Sequence, residues 1–213
     1  MFTKRKVVQG KDPMTELLEL ANSVLDVETG KMLEYRHLRQ HPKYKDEWNT
    51  SAANEFGRLA QGVGGRVKGT DTVFFIHKKD IPADRFKDCT YGQFVCDVRP
   101  TKAEPNRTRL VVGGDRINYP EDVGTPTADM LLVKLLFNSV ISTDGARFMT
   151  GDVKFFYLNT PLKRYQYVRL KLEEIPEEII VEYKLREKAT AEGYVYLEIR
   201  KGMYGLPQAG LLA

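Results

Sequence analysis

The chain of 213 residues contains two cysteines, three histidines and one tryptophan. Cys89 and Cys96 are too few for a disulfide scaffold or for a four-ligand zinc site, which indicates a reducing, intracellular environment. No stretch approaches the roughly 18 apolar residues that a membrane span requires. The basic N-terminal residues are not followed by the apolar segment of a secretory signal. These absences predict an intracellular protein, cytoplasmic or nuclear, that has no membrane partner.

Charge of neither sign dominates the chain, since 33 Lys and Arg stand against 29 Asp and Glu. The cationic excess lies in residues 51–120, which carry 12 Lys and Arg against 8 Asp and Glu. A polyanionic partner could bind this middle third, and a solvated surface would carry the same excess. The hydrophobic fraction of 42% and the charged fraction of 29% are typical of a globular domain.

The spacing of apolar residues predicts both helices and strands. Helices are predicted at residues 14–40, 46–63 and 124–142. Thr125 and Pro126 suit the start of the third helix, which has an apolar stripe of Leu132, Leu136 and Val140. Strands are predicted at residues 71–79, 91–99, 106–114, 146–159 and 165–172 and at the start of 194–210. This order predicts an α+β fold with a mostly antiparallel sheet and packed helices.

One carboxylate, Asp152, lies in the otherwise apolar, aromatic and small segment "TGDVKFFYLN", residues 150–159. An ionised group in a buried strand is costly unless it is paired or bound to a metal. Hydrogen bonds at a strand end would satisfy it, and so would a hard cation such as Mg²⁺, which prefers oxygen ligands. A two-metal phosphoryl-transfer site needs at least two such carboxylates. The spacing alone leaves both interpretations open.

Two ordered motifs resemble the reverse transcriptase of copia-type LTR retrotransposons. The family's first segment reads approximately Asp-Val-Lys-Thr-Ala-Phe-Leu-Asn-Gly, and its later segment reads approximately Leu-Tyr-Gly-Leu-Lys-Gln-Ala-Pro. The matching residues are Asp152, Val153, Lys154, Leu158 and Asn159 in the first segment and Tyr204, Gly205, Leu206, Gln208 and Ala209 in the second. Upstream, "RTRLVVGG" resembles the family's hairpin strand and "EWNTSAANEF" its opening segment, so the resemblance runs from about Trp48 to the C-terminus.

The resemblance implies a reverse transcriptase domain over residues 48–213, comprising the fingers and the N-terminal part of the palm. Residues 1–47 are then an N-terminal helical extension or a linker. The implied activity is RNA-directed DNA polymerisation, with Mg²⁺ as cofactor and with dNTPs and an RNA/DNA template-primer as partners. In a full element the domain is fused to integrase and RNase H regions of a polyprotein, which is found in the cytoplasm, also in virus-like particles, or in the nucleus.

The resemblance also assigns roles to single residues. Asp152 would be the first metal-binding carboxylate of the palm, with the Val153 carbonyl as a companion ligand. Tyr157 would be the aromatic gate whose ring excludes a ribose 2′-OH, although a tyrosine in a strand core has the same appearance. These three residues would therefore form the metal and sugar side of the site.

Three further residues would bind the incoming nucleotide. Arg107 and Arg109 fall on the finger strand whose cations close over the triphosphate, where arginine binds phosphate with bidentate geometry. Gln208 matches the glutamine that lines the nucleotide pocket, although it also suits a turn residue beside a glycine and a proline.

The sequence departs from the family pattern in ways that bear on activity. Phe155 and Phe156 replace Thr-Ala, and Gly210 replaces a proline. The other catalytic carboxylates of the family lie in a hydrophobic-Asp-Asp hairpin downstream of the second motif, and this chain ends before that hairpin. We therefore expect the chain to be inactive alone. The alternatives are a non-catalytic nucleic-acid-binding remnant and an unrelated α+β structural protein.

Overall fold

The computed structural model describes residues 22–119, 123–124, 128–151 and 153–213. The strands are β1 (Val24–Leu25), β2 (Met32–Leu33), β3 (Gly62–Val63), β4 (Val67–Lys68), β5 (Val73–Ile76), β6 (Thr90–Val98), β7 (Asn106–Val112), β8 (Pro161–Lys171) and β9 (Tyr194–Lys201). The α-helices are α1 (Tyr35–Leu38), α2 (Lys45–Leu59), α3 (Met130–Ser142), α4 (Glu177–Glu182), α5 (Leu185–Lys188) and α6 (Ala209–Leu212). Short 3-10 helices lie at Lys78–Asp80, Ala83–Asp88, Gly114–Arg116, Tyr157–Asn159 and Leu172–Glu174.

Five strands form one sheet in the order β5-β9-β8-β6-β7. Neighbouring strands are antiparallel, except that β6 and β8 run parallel where Thr90 pairs with Val168. These strands lie at five of the six predicted positions, and α2 lies at the second predicted helix. The α+β class and the mostly antiparallel sheet are thus confirmed for the described residues. The division into fingers and palm stays a prediction.

The main core lies between the sheet and α2. Phe56 and Leu59 stand three residues apart on α2, and both are fully buried in one cluster with Val168 and Leu170 of β8 and Leu197 of β9. Residues at this spacing share a helix face, and alternate strand residues share a sheet face. Full burial of such a side chain contributes about 1.5–3 kcal/mol. This layer stabilises the frame from which the β6–β7 hairpin projects.

The predicted helix at residues 14–40 is wrong over much of its described part, where β1 and β2 form a hairpin and α1 begins only at Tyr35. A local turn explains the difference. The Asp26 carboxylate accepts a hydrogen bond from the Thr29 hydroxyl, and Gly30 adopts φ +68°, which a helix does not contain. Residues 14–21 lie outside the described part of the chain. The boundary at residue 48 stays a prediction.

Helix α3 confirms the predicted third helix from Met130 to Ser142, but it starts later than predicted and its apolar stripe is not packed. Asp129 caps it by accepting a hydrogen bond of 2.6 Å from the Leu131 N–H, while Thr125 and Pro126 lie outside the described residues. No residue of α3 is buried, and Leu136 is 54% exposed. No helix among the described residues combines the length and the apolar character needed to cross a bilayer.

The predicted strand at 146–159 is also wrong for its described residues. They form irregular chain, a turn and the 3-10 helix Tyr157–Asn159. Phe155 has φ +59°, a left-handed conformation that reverses the chain and that no strand contains. The reversal lets Leu158 enter the core at 2% exposure. The apolar content of this segment therefore reflects one buried leucine and an exposed turn, not a buried strand.

Candidate functional site

A cleft of about 570 Å³ lies between the β6–β7 hairpin, the turn at residues 153–157 and Tyr204. Its lining consists of Arg99, Arg107, Arg109, Val153, Lys154, Phe155, Phe156, Tyr157 and Tyr204. Four of these side chains are cationic, four are aromatic and none is a carboxylate. We refer to it as the cationic cleft. Such a concave, positively charged surface attracts an anion, and its rings offer flat apolar contacts.

Strand β7 brings Arg109 into the cationic cleft by simple alternation. Its residues Thr108, Leu110 and Val112 are buried, so Arg109 lies on the opposite face. The Arg109 guanidinium carbon lies 5.5 Å from the centre of the Tyr204 ring. No carboxylate among the described residues forms an ion pair with Arg109. Within the described part of the chain, its charge is therefore not balanced by an ion pair.

Arg107 lines the same cleft, but its charge is balanced within the protein. Its guanidinium donates to Glu55 at 3.0 Å and to Glu104 at 2.7 Å. Arg58 completes a ring by donating to the same two carboxylates, at 2.7 Å and 3.0 Å. We call these four residues the Glu55 network. It fastens the tip of the β6–β7 hairpin to α2 and leaves Arg107 as a weaker source of positive charge than Arg109.

The turn at residues 153–157 forms the opposite wall of the cationic cleft. The Tyr157 ring meets the Tyr204 ring edge-on, with centroids 6.1 Å apart and an interplanar angle of 83°. Lys154 is exposed, and its Nζ lies 5.0 Å from the centre of the Phe155 ring. Val153 is 64% exposed. Four residues assigned from the sequence, namely Arg107, Arg109, Val153 and Tyr157, thus line one cleft.

The predicted metal ligand Asp152 lies outside the described residues. Among those that are described, no group of three histidine, cysteine, aspartate or glutamate side chains could hold a metal ion. Mg²⁺ prefers carboxylate and carbonyl oxygens, whereas the described lining of the cleft is cationic. The described lining therefore fits the anion that such a metal would accompany and does not by itself fit the metal.

Gln208 is not among the residues that line the cationic cleft. It is 1% exposed, and its Oε1 has no hydrogen-bond partner among the described residues. Its neighbours Leu206 and Ala209 belong to the main core. The structure thus separates this predicted nucleotide-pocket residue from Arg109 and Tyr157.

Comparisons of the chain with protein-family models, with curated proteins and with solved structures give no match. The functional argument therefore rests on the cationic cleft and on the two sequence motifs that contribute to it.

The sequence assigned no role to Arg99, Lys154 or Tyr204, although all three line the cleft. Lys154 and Tyr204 belong to the two recognised motifs, so their positions carried a signal that could have been used. Arg99 follows directly after β6 in the basic tip of the hairpin. Its distance from the other lining residues depends on how the hairpin tip lies relative to the turn at residues 153–157, which no local pattern reveals.

Proposed function

We propose that the chain is a reverse-transcriptase-type nucleotidyltransferase unit that binds the triphosphate of a dNTP in the cationic cleft. One observation carries the proposal: the finger strand and both motif segments, which the sequence links to the same reaction, converge on a single cleft rich in cations and rings. The described lining contains no carboxylate that would repel a polyphosphate.

The side chains suit the parts of a nucleotide. Arginine forms bidentate, charge-assisted hydrogen bonds with phosphate oxygens, and Arg109 has its guanidinium available. Lys154 is an exposed point charge on the opposite wall. In nucleotidyl transfer the 3′-OH of a primer attacks the α-phosphorus and pyrophosphate leaves, so cations held near the β- and γ-phosphates stabilise the charge of the leaving group. The ring of Tyr157 offers a surface for the sugar or base.

Binding of a fluorescent dNTP tests the proposal. Titration of the full chain with methylanthraniloyl-dATP should show saturable binding that tripolyphosphate competes away. Replacing Arg109 with alanine should weaken binding about tenfold or more, because a hydrogen bond to a charged group contributes about 1.5–3 kcal/mol. The matched control is Arg186→Ala, since Arg186 is 61% exposed, pairs with Glu177 and lies outside the cleft. Equal affinities of the two variants would contradict the proposal, as would a wild-type chain that binds no dNTP.

The second candidate function is binding of nucleic acid without catalysis. The cationic described lining, with Asp152 as the sole carboxylate among the predicted metal ligands, favours it. Binding to an RNA–DNA hybrid should then weaken linearly with the logarithm of salt concentration and should survive Asp152→Asn. Primer extension by the purified chain that Asp152→Asn abolishes would decide against this candidate and for the enzyme.

A further inference from the structure

The short segment at residues 202–205 joins the two walls of the cationic cleft. At one end, the Gly202 N–H donates to the Thr160 carbonyl at 2.8 Å. A Cβ on Gly202 would lie 2.6 Å from the carbonyl oxygen of Tyr157, closer than side chains approach backbone oxygens in folded proteins. The chain that carries Tyr157 therefore rests directly on the backbone of Gly202.

At its other end the same segment is fixed to β7. The Val112 N–H donates to the Tyr204 carbonyl at 2.9 Å. Gly205 adopts φ +90°, and a Cβ there would overlap the Val112 carbonyl oxygen and lie 2.9 Å from a methyl carbon of Val111. The backbone on both sides of Tyr204 is thus held against the strand that carries Arg109, three residues before Val112.

Between these two anchors the half-buried Tyr204 ring contacts both walls. It lies 5.5 Å from the Arg109 guanidinium carbon and meets the Tyr157 ring edge-on. We propose that Tyr204 is a positioning residue of the cationic cleft, whose ring holds Arg109 and Tyr157 at the separation that a nucleoside triphosphate requires. This inference rests on the proposed function for the identity of the ligand.

A neutral aromatic ring can hold Arg109 in place without balancing its charge, which a carboxylate at the position of Tyr204 could not do. Arg107 is held by Glu55 and Glu104, and its charge is balanced by them. Arg109 is held by the face of Tyr204, whose quadrupole attracts the guanidinium without cancelling its charge. A long cationic side chain loses rotamer freedom when it binds a ligand, and prior ordering reduces that cost. Tyr204 orders Arg109 and leaves its charge available to phosphate.

The first test needs no ligand. In NMR spectra of the chain with labelled arginine, the ring current of Tyr204 should displace the Arg109 side-chain resonances. Tyr204→Phe should keep that displacement, whereas Tyr204→Leu and Tyr204→Met should abolish it. The matched control is Tyr194→Leu, because Tyr194 lies 5.2 Å from the Arg169 guanidinium carbon; it should move the resonances of Arg169 and leave those of Arg109 in place. Unchanged Arg109 resonances in both Tyr204→Leu and Tyr204→Met would overturn the inference.

The second test measures affinity for methylanthraniloyl-dATP. Tyr204→Phe should bind within about twofold of wild type, and Tyr204→Leu about fivefold more weakly, the scale expected for a cation–π contact. In an Arg109→Ala background, Tyr204→Leu should change affinity by less than about twofold, because only the edge-on contact with Tyr157 remains through which it can act. Equal weakening by Tyr204→Leu in both backgrounds would overturn the inference.

The two tests separate the inference from the proposed function. If the wild-type chain binds no dNTP, the proposed function fails, and the NMR experiment still decides whether Tyr204 positions Arg109. If dNTP binds but Tyr204→Leu and Tyr204→Met leave both Arg109 and the affinity unchanged, the function stands and the positioning role fails. Urea unfolding of each variant identifies any loss of affinity that arises from unfolding. Tyr204→Met, whose unbranched side chain adapts to irregular packing, provides the second non-aromatic variant if the leucine variant does not fold.

Discussion

Replacing Glu55 with alanine should lower the free energy of unfolding by about 3 kcal/mol, because removing one partner of a buried ion pair costs about 3–5 kcal/mol. The Glu55 side chain is 2% exposed, and one of its oxygens accepts hydrogen bonds from both Arg58 and Arg107. The side chains of these two arginines are themselves only 9% and 12% exposed. We expect the lower end of the range because Glu104, which is 43% exposed, still pairs with both arginines after the change.

Urea unfolding followed by circular dichroism measures this loss, and an exposed ion pair provides the control. Glu178 pairs with Arg66, and the two side chains are 41% and 38% exposed. Glu178→Ala should therefore cost about 1 kcal/mol or less, as exposed pairs do. Glu55→Gln keeps the volume and one acceptor oxygen but removes the charge, so its loss should fall between those of the two alanine variants.

Equal losses in Glu55→Ala and Glu178→Ala would refute the claim that the buried carboxylate stabilises the two guanidiniums. A second measure comes from the double variant Glu55→Ala/Arg107→Ala. Its loss should be smaller than the sum of the single losses by about 0.5–3 kcal/mol, the coupling found between residues of one network. Strict additivity would show that the two residues do not interact in solution.

Three further predictions follow from the described residues. Gly205→Ala should lower the free energy of unfolding in urea by about 3 kcal/mol, because the positive φ of Gly205 and an overlap with backbone atoms both oppose a Cβ. The control is Gly65→Ala, at φ +67° with open space around it, which should cost about 1 kcal/mol. Equal costs of the two changes would refute the overlap. Burial raises the pKa of the Cys96 thiol from 9.0 to about 12, so the folded chain keeps a proton that the unfolded chain releases. The free energy of unfolding should then be unaffected by this thiol below about pH 9 and should fall as the pH rises toward 12. Thermal unfolding measured across this pH range checks it. A Cys96→Ala variant whose stability falls with pH as steeply as that of the wild type would contradict the prediction. Leu136→Gln on exposed α3 should change the free energy of unfolding by less than about 0.5 kcal/mol. Ile179→Gln in the core should cost more than about 2 kcal/mol. Similar costs of the two changes would show that α3 is covered in solution.

The sequence predicted best what depends on neighbouring residues. Alternation identified β6 and β7, and this same alternation places Arg109 on the open face of the hairpin. The spacing of apolar residues identified α2, because its buried face repeats every three to four residues. The convergence of Arg109 and Tyr157 on one cleft agrees with the roles that the motifs assigned to them, although those roles stay predictions.

The sequence predicted poorly what depends on distant contacts. The aromatic content around Tyr157 favoured a strand, but the backbone of Gly202, more than 40 residues away, supports a turn there instead. Arg107 looked like a ligand for phosphate, but its charge is balanced by Glu55, which lies 52 residues earlier on a helix. The hairpin that replaces the predicted helix likewise has a distant contact, since the Tyr44 hydroxyl, 18 residues later, donates to the Asp26 carboxylate in its turn. Such contacts leave no trace in local periodicity.

The place of β5 in the sheet has a consequence for how the chain folds during synthesis. This edge strand pairs with β9 alone, from Val73 with Ile199 to Ile76 with Tyr196, so the partners are separated by 126 residues (73 to 199) and 120 residues (76 to 196). Closing so large a loop is slow and entropically costly. On the ribosome β5 emerges long before its partner, so its pairing edge has no neighbouring strand until β9 has been made. Completion of the sheet is therefore a late event, which has to wait for the synthesis of β9.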